Sequence, residues 1–168
     1  MIPDYQTLMR PVLECASSGE VRISDVVEQL ADRFELSAEQ RAVLLPSGKQ
    51  TTFANRVHWA KTYLYKAGLV EISRRGHFRI TDRGCASLTN KAATINNAYL
   101  EQFEDFQRFR GKVNEAETPG PKMVEAPEVG STPDEVLRRA HSAITVALSI
   151  ELLDRIKKAP PVFFERLI

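Results

Sequence analysis

Two clusters in this chain have residue types and spacing that could do chemistry on a polyanion. Ser73-Arg74-Arg75-Gly76-His77-Phe78-Arg79 sets two adjacent arginines at a turn and a third arginine on the way out. Guanidinium groups presented this way suit phosphate oxygens, which they can engage through two parallel N–H donors. Upstream, Ser47, Gly48, Lys49 and Gln50 lead into Thr51. Small residues with open backbone N–H groups at a helix start form a natural phosphate seat. With Phe53, Val57 and Leu64 turned inward, a helical wheel points Thr51, Asn55, His58, Trp59, Thr62 and Lys66 outward, with Arg56 on the flank. Asn suits bidentate contact with adenine, and Arg or Lys suits guanine or phosphate. For any one of these residues a solvated face is the plainer explanation, and Trp59 can equally pack against a neighbouring helix.

The charge distribution gives the clusters a context. Net charge over 168 residues is only +1, but residues 1–40 carry three Arg against eight Asp/Glu. Residues 41–91 carry ten Lys/Arg against Glu71 and Asp82, and residues 92–168 carry ten basic against twelve acidic residues. One third of the chain is strongly basic and holds both clusters, which points to a polyanion as the partner.

Catalytic motifs are missing. LLPSGKQTT lacks the first glycine of a nucleotide-binding loop and has Gln50 where Ser or Thr should follow Lys49. His58, His77 and His141 have no metal-ligand spacing. A metal-dependent nuclease needs a carboxylate near Glu/Gln-x-Lys, and no Lys here has Glu or Gln two residues earlier. Cys15 and Cys85 read as reduced thiols. There is no secretory signal and no apolar run near the ~20 residues that span a membrane, so the expected location is the cytoplasm.

The elements that must position these residues follow from periodicity. Asp4 caps a first helix with Pro11 inside it, where a kink or split is expected. Val21-Arg22-Ile23 is a short strand, Ser24 caps a second helix, and Ser37-Ala38-Glu39-Gln40 is a capping box for a third ending near Leu45. A long helix covers about 51–67, with Phe53, Val57, Ala60, Leu64 and Ala67 on one stripe and Gly68 as its stop. Leu69–Ile72 and Phe78–Ile80 flank Arg75-Gly76 as a β-hairpin. This order predicts an α+β, mainly α fold: a winged helix-turn-helix domain over 1–91, followed by further helices and a linker. The long helix would enter the major groove and the hairpin, as the wing, would touch the backbone.

Beyond it the pattern predicts an aromatic-faced helix at 92–111 (Ile95, Tyr99, Phe103, Phe106) and a Pro/Gly/Glu linker at 112–131. A capped amphipathic helix opens at Thr132-Pro133-Asp134-Glu135 and runs to about Lys158 within the segment 132–168. Either 92–111 or 133–158 could pair two copies of the chain.

IPDYQTLMRPVL, LLPSGKQTTFANRVHWAKTYLYKAGLVE and RRGHFRITDRG resemble the N-terminal domain of Mrr-type restriction endonucleases. TPDEVLRRAHSAITVALSIELLDRIKKAPPVFFERLI resembles that family's connecting helix and the entry to its catalytic domain. The resemblance implies a winged-helix domain that binds DNA and a C-terminal PD-(D/E)xK-type nuclease that cleaves modified, typically methylated, foreign DNA with Mg²⁺. It places Ser47–Gln50, Asn55, Arg56 and Trp59 in the recognition stretch and Arg74, Arg75 and Gly76 in the wing. The metal-binding acids and catalytic Lys would lie beyond Ile168, so the chain itself is expected to be a non-catalytic fragment. Two other readings stay open on the residues alone: a free-standing winged-helix regulator, and a winged helix whose basic face meets an acidic protein.

Overall fold

The computed structural model describes residues 1–46, 48–89, 94–116 and 131–158, with backbone alone for 111–116. The chain divides into two compact units, Met1–Thr132 and Pro133–Ile168. The fold is mainly α with one small antiparallel sheet.

Helix α1 (Tyr5–Cys15) starts where the Asp4 carboxylate accepts the Thr7 backbone N–H at 2.8 Å. It is not split at Pro11, which lies inside one continuous helix. Leu8, Met9, Val12 and Leu13 are all fully buried, and their packing outweighs the ~3 kcal/mol that an interior proline costs. Strand β1 (Val21–Arg22) passes directly into α2 (Ile23–Arg33). Ser24 does not cap this helix; its hydroxyl donates to Asp25 instead. The Ile23 N–H at the start of the helix donates to the Gly76 carbonyl at 2.9 Å. The expected capping box at Ser37 and Gln40 is formed, but α3 (Ala38–Ala42) ends earlier than Leu45.

Helix α4 (Thr52–Lys66) lies within a residue of its expected bounds, with Thr51 as N-cap and Gly68 (φ 73°) after its end. Phe53, Val57, Ala60 and Leu64 bury its stripe against α1. Strands β2 (Val70–Arg74) and β3 (His77–Ile80) form the hairpin, and the sheet order is β1-β3-β2. Val21 and Ile72 both face Phe78 across the ladder, and the register slips between Ile72 and Arg74. Phe78 is 1% exposed and anchors the hairpin, whereas Ile72 is exposed.

Helix α5 (Asp82–Thr89) packs so closely on the chain after α4 that it needs Gly84. A Cβ there would sit 2.2 Å from the Leu69 carbonyl oxygen.

The single helix expected at 92–111 is two: α6 (Asn97–Leu100) and α7 (Glu104–Ala116). Asn96 caps α6 through the Tyr99 N–H, and the chain turns at 101–103 so that both pieces can reach the core. Asn97 donates to the Tyr5 hydroxyl at 2.6 Å, while Ile95, Leu100 and Phe106 are buried. Tyr63 of α4 lies 5.7 Å from the Phe106 ring, centroid to centroid. Helix α7 also extends past the expected linker start at 112. Residues 117–130 and 159–168, where most of that linker and the chain end were expected, lie outside the described residues.

The second unit holds α8 (Pro133–Lys158), one uninterrupted helix with Pro133 in its first position as expected. Ion pairs Arg138–Asp134, Arg155–Glu151 and Lys158–Asp154 link successive turns. Its apolar residues do not keep to one stripe. Leu137, Ile144 and Leu148 occupy one side, Val146 and Ile150 another, and all are exposed.

Candidate nucleic-acid interface

The hairpin presents the arginines differently from one another. Arg74 is exposed but bonded to Glu20 through Nε (3.1 Å) and Nη2 (2.9 Å). The Ser73 hydroxyl and Arg74 together hold the Glu20 carboxyl below its ordinary range, so it stays charged. Arg79 pairs across the ladder with Glu71. Arg75, at the exposed turn, makes no side-chain ion pair among the described residues. A polar cleft of about 290 Å³ beside the turn end of the hairpin is lined by Glu20, Val21, Arg22, Asp25, Val26, Gln29, Arg74 and His77.

The turn before α4 is partly closed by its own backbone hydrogen bonds. Leu44 and Thr51 bridge, Leu45 N–H donates to the Gln50 carbonyl at 2.9 Å, and Gly48 N–H donates to the Leu45 carbonyl at 2.8 Å. The Gly48 amide, expected to be open, is therefore already used. Lys49 is exposed, and Ser47 lies outside the described residues.

On α4 the expected outward residues are mostly engaged. Asn55 is only 6% exposed: its carboxamide N–H donates to Gln50 Oε1 at 3.4 Å, and its Oδ1 accepts from the Thr132 hydroxyl at 3.1 Å. The expectation of an open, outward Asn55 is corrected by that burial. Arg56 reaches back to the carbonyls of Ile2 (3.1 Å) and Pro3 (3.2 Å), fixing the chain start. Trp59 is half-buried against the core, its ring 5.9 Å from Tyr63, and Thr62 donates to the His58 carbonyl at 2.8 Å. Of the α4 residues, all described, only Tyr65 is exposed.

Burial leaves its mark on the titrating groups of this helix. It lowers the pKa of His58, with nearby Lys61 adding to the effect, and lowers that of Lys61 itself. It pushes Tyr63 up to about 12. The cover on Asn55 comes from a residue 77 positions away and the check on Arg74 from one 54 positions away. Neither partner has a local signal in the sequence. Among the described residues no three His, Cys, Asp or Glu converge where they could hold a metal ion. No helix of the described residues is long and apolar enough to cross a membrane.

A mainly helical domain with a three-stranded sheet and an arginine-tipped hairpin is the class this geometry defines. Residues 5–90, half of the chain, match the Mrr N-terminal domain, and the chain belongs to that family. Over 99% of its length the chain is also 28% identical to the type IV methyl-directed restriction enzyme EcoKMrr of Escherichia coli strain K12. It spans 57% of that relative's length. No solved structure gives a significant match.

Proposed function

We propose that the chain is a winged-helix DNA-binding module of a restriction enzyme that acts on foreign, methylated duplex DNA. The observation that carries this reading is the hairpin. It follows α4 directly, is anchored by Phe78 and by the Gly76 carbonyl, and lifts Arg74 and Arg75 to an exposed tip. The order α1-β1-α2-α3-α4-β2-β3, with sheet order β1-β3-β2, supports a wing beside a recognition helix. The matching family and the restriction-enzyme relative supply the biological setting.

Arg75 and Arg74 would contact phosphate, as would Lys49 and the Gly48–Thr51 turn; Asn55, with Gln50, is the candidate base reader. Arg56, Trp59 and Thr62 would then support α4 more than touch DNA, given the bonds and packing they make within the chain. In this reading cleavage falls to a Mg²⁺-dependent nuclease domain of the same enzyme and not to the residues named here. Pairing of two copies would fall to 133–158, since the buried aromatics of 92–111 are spent on the core.

The reading is tested by fluorescence anisotropy with one duplex in methylated and unmethylated form. Both should bind, the methylated form more tightly. Binding to an acidic protein but to neither duplex would favour the protein-interaction alternative. With Mg²⁺ or Mn²⁺, plasmid DNA should stay intact whether methylated or not. Nicking that follows the protein through repurification would place a nuclease site in this chain.

A further inference from the structure

We infer that Thr132 is an autoinhibitory latch on the base-reading face of α4, so that the structure shows the module in a closed state; this rests on the DNA-binding reading above. Three observations converge. Asn55 stands two residues from Phe53 and two from Val57, about 200° around the helix from the core stripe, where a side chain should meet solvent. It is nevertheless buried, and Thr132, whose hydroxyl bonds it, is 0% exposed. Both edges of its carboxamide are occupied, the N–H by Gln50 and the oxygen by Thr132. A bidentate adenine contact needs that same donor and acceptor together. Asn55 can therefore read a base only after Thr132 leaves.

The consequence is thermodynamic. If only a fraction of molecules is open, the apparent affinity for duplex is reduced by that fraction. Removing the latch bond raises the fraction, because the closed state then loses the hydrogen bond from the Thr132 hydroxyl to Asn55.

The test compares Thr132→Val, which keeps volume and loses the donor, with Thr132→Ser, which keeps the donor. Both are titrated with the duplexes used for the wild-type chain. The Val variant should bind about two- to tenfold tighter, the range expected for one hydrogen bond, and the Ser variant should match wild type. A second measurement does not depend on the Val variant folding well. The thiol of Thr132→Cys should react slowly with an alkylating reagent in the free protein and faster once duplex is added. Mass spectrometry of its peptide separates it from Cys15 and Cys85. Equal or weaker binding by a folded Val variant, or a thiol still protected in the complex, overturns the latch and leaves the DNA-binding reading standing. Failure of every variant and of the wild type to bind any duplex removes the DNA-binding reading, and the latch with it.

Discussion

Arg74 and Arg75 are neighbours in sequence, but among the described residues only Arg74 is held in an ion pair. Glu20 already neutralises Arg74, so its approach to a phosphate must compete with an existing ion pair. Arg75→Ala should therefore weaken binding to every duplex alike and make the salt dependence shallower, while Arg74→Ala should do less. Both should leave stability within about 0.5 kcal/mol, since the side chains are exposed. Titrations of the two variants on preferred and random duplexes decide this. Asn55→Ala differs in kind. Removing a buried amide with two partners should cost about 1–3 kcal/mol in chemical denaturation, apart from any effect on DNA. At His58, burial and then Lys61 hold the folded-state pKa below the ordinary 6.5. Just below pH 6.5 the unfolded chain binds a proton that the native state refuses, so stability should be full above that point and fall as pH drops. Denaturation midpoints between pH 7 and 5 should show the loss, and His58→Gln should flatten it. A profile unchanged by that substitution would mean His58 is not the group responsible.

At the scale of elements, the sequence speaks clearly where one helix carries its own full signal. The Thr51 cap, the stripe from Phe53 to Leu64 and the Gly68 stop bracket α4 to within a residue. The Arg75-Gly76 turn marks the hairpin just as locally. Local signals fail where a distant segment makes the decision. Ser24 looks like a cap, but the Gly76 carbonyl takes the first N–H of α2. The aromatic periodicity of 92–111 continues through 101–103, yet the chain must bend there for Leu100 and Phe106 both to be buried. Candidate interface residues follow the same division. The hairpin arginines are exposed as their pattern implies, while Asn55 and Arg56 are claimed by Thr132 and by the chain start. Gly84 shows how tight these long-range fits are. Gly84→Ala drives a methyl into the Leu69 carbonyl and should destabilise the chain by about 1–3 kcal/mol in urea denaturation. A variant as stable as wild type would show that α5 can shift away from the end of α4.

Across the whole molecule, the basic third of the chain is less bare than its composition implies. Arg41, Arg74, Arg79 and Arg83 are paired with Asp32, Glu20, Glu71 and Asp105, and three of those four acids come from outside residues 41–91. Among the described residues of that third, Arg75 is exposed and outside every ion pair, and pairs that open on contact would add to its charge. That predicts a DNA affinity that is modest and electrostatic, with few phosphates neutralised. The most direct measurement is the affinity of the wild-type chain for one random duplex across a series of salt concentrations. Log K should fall linearly with log[salt], by about 0.9 for each phosphate neutralised. An affinity that stays flat from low to moderate salt, or no binding at any salt, would contradict a DNA-binding role for this module.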